Sequence, residues 1–161
     1  MRPPTQIVVG VGDMAVSNDP EECLVTYALG SCLGVVAWDK AQKVGGILHF
    51  MLPMSSVNPE KAALNPAMFG DTGMPVFLEK LFQLGATRRH LVLKLAGGAE
   101  IIGHDSFEIG RRNLLLARRM LWKNALAPVA EAVGERVSRT LRLEISSGRV
   151  LLKDPTGERE L

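Results

Sequence analysis

The chain has 161 residues, 47% apolar and 22% charged, with a net charge of +2. Such a length and composition lead us to expect one domain over residues 1–161 with its own core, and exclude a disordered or fibrous chain. The near-balance of charge gives no sign of nucleic-acid binding, and no run approaches the ~18 apolar residues of a membrane span.

The N-terminal stretch Met1 to Val9 has no apolar core followed by a small-residue cleavage site, so no secretory signal is expected. Two cysteines, Cys23 and Cys32, do not make a disulfide framework. Free thiols in a reducing compartment, hence a cytoplasmic protein, are the expectation.

The first half reads as strands. Ile7 to Val11, Met14 to Val16 and Cys23 to Leu29 are extended runs, with a turn at Asn18-Asp19-Pro20. Leu33 to Trp38 and Val44 to Leu52 flank the polar stretch Asp39 to Lys43, the pattern of a β-hairpin. After Pro53 a loop carrying Pro59 and Pro66 is expected. A helix from Met74 to Leu84 follows, with Asp71 or Thr72 as cap, Pro75 in its first turn and Gly85 as its stop. Leu91 to Leu95 reads as a buried strand, Ile109 to Leu126 as a second helix, and the remainder as alternating strands around Leu141, Leu143 and Ile145. The fold class is α/β: mixed, largely antiparallel sheet with two main helices.

A thiol hydrolase needs a cysteine beside a histidine, because the thiolate is the nucleophile and a thiol of pKa ~8.5 is mostly protonated at neutral pH. The hairpin supplies such a pair. With Lys40-Ala41 as a two-residue turn, Asp39 pairs with Gln42 and Cys32 falls opposite His49, on the same face. A one-residue change of register would turn one of them away. Gly30 permits a sharp turn before Cys32, and backbone N–H groups near Cys32 are candidates for an oxyanion site. Gly45-Gly46 offers a place for substrate backbone to approach. The bland reading is packing, since cysteine is among the most buried residue types. Cys23 is read as structural, because Glu21 and Glu22 disfavour a thiolate there.

Thr26-Tyr27-Ala28-Leu29-Gly30-Ser31-Cys32 and Gly45-Gly46-Ile47-Leu48-His49-Phe50-Met51-Leu52-Pro53 resemble the CheD family of chemoreceptor glutamine deamidases. Gly97-Gly98-Ala99, Ile109-Gly110 and Asn113 extend the resemblance over most of the chain. It implies a catalytic set on Cys32, His49 and Thr26, with chemoreceptor cytoplasmic helices as substrate and the CheC phosphatase as partner. It also implies a sandwich fold resembling the cytotoxic necrotizing factor deamidase core, with no cofactor and no metal. Towards the C-terminus the family's pattern is met only loosely, through Gly134 and Arg139. Thr26 lies an even offset before Cys32 and would share its face on a regular strand.

Ser31 lacks the Gly-x-Ser-x-Gly setting of a nucleophilic serine. His104-Asp105 reads as a polar loop, and His90, beside Arg88 and Arg89, as surface. Zinc held by the cysteines and two histidines lacks the usual ligand spacing. On the second helix, Arg111, Arg112, Arg118 and Arg119 share a side with Leu115 and Trp122. That is either a docking face or a Trp packed onto a neighbouring element or an arginine. A receptor-binding module and a transglutaminating thiol enzyme are the competing functional classes.

Overall fold

The computed structural model describes residues 2–100 and 108–161. Its strands are β1 (Thr5–Val8), β2 (Asp13–Ser17), β3 (Glu22–Leu29), β4 (Leu33–Asp39) and β5 (Val44–Phe50). Helices α1 (Pro59–Leu64) and α2 (Gly70–Gln83) precede β6 (Leu91–Gly97). Helix α3 (Ile109–Lys123) is followed by β7 (Pro128–Val133), β8 (Arg139–Glu144), β9 (Val150–Asp154) and β10 (Gly157–Glu160). Among the described residues these strands form two sheets, ordered β1-β3-β8-β9-β10 and β2-β5-β4-β6-β7. Pairing is antiparallel except for β1 with β3 and β6 with β7. The mixed, largely antiparallel α/β class expected from the sequence is what forms.

Strands β4 and β5 read as unbroken apolar runs because both of their faces are buried. Val36 and Ile47 join Leu24, Leu29, Leu141 and Leu143 in a core between the sheets. Their neighbours Val35 and Leu48 face the opposite way, towards Met74, Phe77, Leu81, Leu114 and Leu121 of α2 and α3. The second sheet is therefore the middle layer, between the first sheet and the helices.

Local expectations failed where distant chain supplied the polar partners. Helix α2 begins at Gly70 rather than Met74, because the Leu52 and Pro53 carbonyls accept the first-turn N–H groups of Gly70 (2.8 Å) and Asp71 (3.1 Å). Asp71 and Thr72 do not cap it. The Asp71 carboxylate accepts from Ser55 instead, and the Thr72 hydroxyl donates to Pro66. Pro75 thus lies inside the helix. The segment expected to be loop contains α1, started by Pro59 in its first turn and by the Asn58 side chain, which accepts from the Lys61 N–H. Helix α3 stops at Lys123, three residues short of the expected Leu126, with Ala125 at a left-handed φ of 59° just beyond.

The hairpin forms, with a longer loop. Asp39 pairs with Val44, not Gln42, so residues 40–43 make the connection. The fully buried Asp39 carboxylate determines this. It accepts from the N–H groups of Ala41 and Gln42 within the loop and of Thr87 from beyond it. Burial pushes its pKa up, but these three N–H groups outweigh burial and hold it below the ordinary value.

Candidate active site

The longer loop shifts the hairpin register by two residues, which preserves the face each side chain takes. Gly34, not Cys32, stands opposite His49. Cys32 lies just before β4 and packs against the inter-sheet core. His49 alternates with Ile47, so it too points between the sheets. The two are diagonal neighbours across the β4–β5 pair, a relation that places Cβ atoms ~7 Å apart. No hydrogen bond joins the Cys32 thiol to the ring: among the described residues, buried Nε2 of His49 has no partner.

Thr26 reaches His49 from the other sheet. A bulge between Thr26 and Leu29, with Ala28 at φ 57°, breaks the regularity of β3, and the chain then crosses sheets at Gly30 to Cys32. The even-offset argument for Thr26 and Cys32 therefore fails; they belong to different sheets. Thr26 Oγ1 lies 2.7 Å from His49 Nδ1 and donates to the Val9 carbonyl at 2.6 Å. The hydroxyl has one proton, and a carbonyl can only accept it. Nδ1 must then carry hydrogen and donate to Thr26, which leaves Nε2 as the basic nitrogen.

The turn carrying Cys32 is held from three sides. The Cys32 carbonyl accepts from Gly98 N–H at 2.9 Å, and the Gly30 carbonyl from Ala99 N–H at 2.9 Å. From α3, the fully buried Asn113 amide donates to the Ser31 carbonyl (2.9 Å) and the Met51 carbonyl (3.0 Å), tying the cysteine turn to the end of β5. Gly97 passes so close that a Cβ there would overlap the Cys32 carbonyl, and its φ of 105° is one that L side chains rarely adopt. Behind it, buried Arg139 donates to the carbonyls of Gly134 (3.0 Å) and Gly97 (3.4 Å) and pairs with Glu135. Asn113 entered the sequence reading only as a motif position, and Arg139 only as a loose match. The available signal was a polar residue on the buried stripe that α3 makes with Leu114, Ala117 and Leu121.

Among the described residues the Ser31 N–H has no acceptor, and the Cys32 N–H lies against its own sulfur. The Ser31 N–H is thus open to a developing negative charge among the described residues. Gly45 and Gly46, expected to admit substrate backbone, are buried instead: Trp38 and Leu143 fill the space beside the first, Phe77 and Val16 that beside the second. Burial lowers the His49 pKa to about 4. It also raises that of the half-buried Cys32 thiol, against a smaller opposing pull from the Cys32 N–H. The resting pair is a neutral imidazole and a neutral thiol. Buried Cys23 is held up first by desolvation, with Glu144 a minor contributor, rather than by Glu21 and Glu22.

His90 is half-buried, with Nδ1 against the Thr87 hydroxyl. His104 and Asp105 lie outside the described residues. Among the described residues no group of three or more His, Cys, Asp or Glu could hold a metal ion, and no helix is long and apolar enough to cross a membrane.

A two-sheet α/β fold here brings a cysteine at one strand start and a threonine-held imidazole to the same face, the residue types a cysteine–histidine acyl-transfer site requires. The chain belongs to the CheD family. That family's model, described as CheD chemotactic sensory transduction, matches residues 51–154, a span that starts after Cys32 and His49. Individual relatives match far more of the chain. A protein of Solibacter usitatus named "Probable chemoreceptor glutamine deamidase CheD" is 46% identical over 97% of this chain and 93% of its own. Relatives of the same description in Syntrophus aciditrophicus and Pyrococcus abyssi are 45% and 40% identical, each over 94% of this chain and over 95% and 93% of their own. In fold, the chain is similar to the crystal structure of Neisseria meningitidis protein NMB0706, of the family model DUF152, with a TM-score of 0.50 at 12% identity. That match covers 83% of this chain and 65% of the other.

Proposed function

We propose that this protein deamidates glutamine side chains of chemoreceptors, converting them to glutamate with release of ammonia, and that residues 1–161 form one cytoplasmic deamidase domain. The observation that carries this reading is the extent of the relatives' likeness: the 46% identical protein named as such a deamidase matches 97% of the chain, a span that takes in the Cys32 turn and β5. The neutral, threonine-oriented imidazole supports it from the side of chemistry.

Cys32 is the nucleophile, His49 the base and acid, and Thr26 the residue that orients His49. A glutamine side chain enters at the half-exposed Cys32. As Sγ bonds to the amide carbon, its proton passes to His49 Nε2, and the carbonyl oxygen becomes an anion facing the Ser31 and Cys32 N–H groups. Each such donor contributes on the order of 3 kcal/mol. The imidazolium returns its proton to the amide nitrogen, the C–N bond breaks and ammonia leaves, so a thioester remains. Water then attacks with Nε2 taking its proton, the C–S bond breaks, and glutamate and the thiol are restored. The CheC phosphatase is a further binding partner this reading includes.

The test is mass spectrometry of a chemoreceptor cytoplasmic fragment incubated with wild-type or Cys32→Ala protein. A gain of about one dalton at glutamine sites with wild type, absent with the variant, is expected. Fragment left unmodified by folded wild-type protein, or modification that persists in Cys32→Ala, rejects the proposal.

A further inference from the structure

Arginine is normally a surface residue, and the outer face of α3 follows that rule. Arg111, Arg112, Arg118 and Arg119 are exposed there, and Trp122 beside them is 78% exposed, which excludes its packing onto a neighbouring element. Arg139 of β8 is different, at 2% exposed. It shares a face with Leu141 and Leu143, so its side chain enters the layer between the sheets that also holds Cys32, Thr26 and His49. Its Nε has no partner among the described residues. An apolar side chain in line with the two leucines would be easier to bury at this place.

An apolar side chain could not hold polar backbone, however, and Arg139 holds the cysteine turn at both ends. Its own backbone pairs with Leu29, the last residue of β3 before the turn. Its Nη1 donates to the Gly97 carbonyl at 3.4 Å, and Gly97 is the register partner of Leu33, the first residue of β4 after the turn. The same Nη1 donates to the Gly134 carbonyl at 3.0 Å, while the Gly134 N–H donates to the Gly97 carbonyl at 3.0 Å. Leu29 and Leu33 belong to different sheets. One residue therefore spans the gap that Gly30, Ser31 and Cys32 cross.

We propose that Arg139 is a positioning residue for Cys32: it fixes the two ends of the cysteine turn relative to each other, and with them the place of the thiol against His49. The reaction it serves is the deamidation read above; the clasp itself stands on the geometry. Arg139 acts through backbone, because Gly97 and Gly98 carry its hold to the Cys32 carbonyl, which accepts from the Gly98 N–H at 2.9 Å. Exposed Glu135 answers its charge from the solvent side at 3.2 Å.

The experiment compares three variants with wild type. Arg139→Met keeps the bulk without a donor, Arg139→Lys keeps the charge without the fork, and Leu81→Ala truncates the core of the helix layer as a control for lost stability. Iodoacetamide labelling of the native proteins needs no deamidation. Cys32 in Arg139→Met is alkylated about tenfold faster than in wild type while buried Cys23 stays unlabelled, the mark of a turn that opens without the rest of the fold. Leu81→Ala labels at Cys32 as wild type does. On a short glutamine peptide, kcat falls about 10- to 100-fold in Arg139→Met with KM unchanged, the effect of a nucleophile held about 1 Å out of place. Arg139→Lys falls between Arg139→Met and wild type in both readings and decides the matter if the methionine variant does not fold. Leu81→Ala keeps the wild-type kcat. Wild-type labelling and kcat in the Arg139 variants overturn the proposal. So does Cys23 labelling that rises in step with Cys32, which would make Arg139 a residue of global stability alone. Faster Cys32 labelling in the variants, with a wild type that deamidates nothing, sinks the deamidase reading and leaves the clasp.

Discussion

Thr26 accepts a hydrogen bond from His49 Nδ1, because its single hydroxyl proton is committed to the Val9 carbonyl. The threonine therefore selects the tautomer of a buried imidazole without adding charge to it. That separates this site from one in which a carboxylate stabilises the imidazolium: among the described residues no carboxylate pairs with the ring, and burial lowers its basicity. The consequences can be measured.

Replacing Thr26 with Val leaves the buried Nδ1–H without an acceptor, at a cost of about 1–3 kcal/mol in stability. Deamidation should fall at least about tenfold but less than in His49→Ala, where the whole general acid–base contribution of about 10²–10⁴ is lost. Thr26→Ser keeps the hydroxyl and should recover most of both. Denaturant unfolding alongside kcat/KM checks the pair; equal activity in Val and Ser variants would remove the orienting role.

The His49 pKa is lowered from the usual 6.5 to about 4 in the fold. The unfolded chain then binds more protons between these values, so stability conferred by the neutral ring is complete above pH 6.5 and drains away as pH falls towards 4. The full effect is about 3 kcal/mol. His49→Phe should flatten this part of the stability–pH curve in urea titrations. Deamidation by wild type should likewise persist to about pH 5, below the point where an ordinary imidazole is protonated.

Cys32 is a thiol at rest, its pKa raised by burial. Alkylation by iodoacetamide, followed by peptide mass spectrometry, should accelerate by about tenfold per pH unit from pH 7 to 9. A rate that is already level across pH 6–8 would reveal a preformed thiolate–imidazolium pair and contradict the neutral resting state. Buried Cys23 should remain unlabelled while the protein is folded.

Asn113→Ala removes both amide hydrogen bonds that join Ser31 and Met51 across the site. We expect kcat to fall with little change in KM for a short peptide, and a stability loss of about 1–3 kcal/mol. Gly97→Ala should be worse, since its Cβ would meet the Cys32 carbonyl at a φ of 105°. Activity lost in both while the far-ultraviolet circular dichroism is retained would mark these as residues that position the cysteine turn.

Some of this was legible from local pattern alone. The apolar runs of β4 and β5 with the polar gap between them define the hairpin, and the period of two sends Cys32 and His49 to the same face. The loop-length error was harmless because it was even: a shift of two residues preserves side-chain direction, where one would have reversed it. Even that length was not readable locally, since the Asp39 carboxylate that shapes the loop also takes the Thr87 N–H, 48 residues away in sequence. The start of α2 was missed for the same reason, its first N–H groups being satisfied by carbonyls from the preceding loop.

The sequence by itself thus determined most of the strands, their alternation and which side chains are candidates for the site, because those follow from short-range periodicity and from side-chain chemistry. Only the tertiary structure decided how they meet. Thr26 comes to His49 across the gap between two sheets, and Asn113 to the cysteine turn from a helix 82 residues later. The low basicity of the imidazole arises from burial by all of these elements together, and burial is a property of the packed chain that no local stretch encodes.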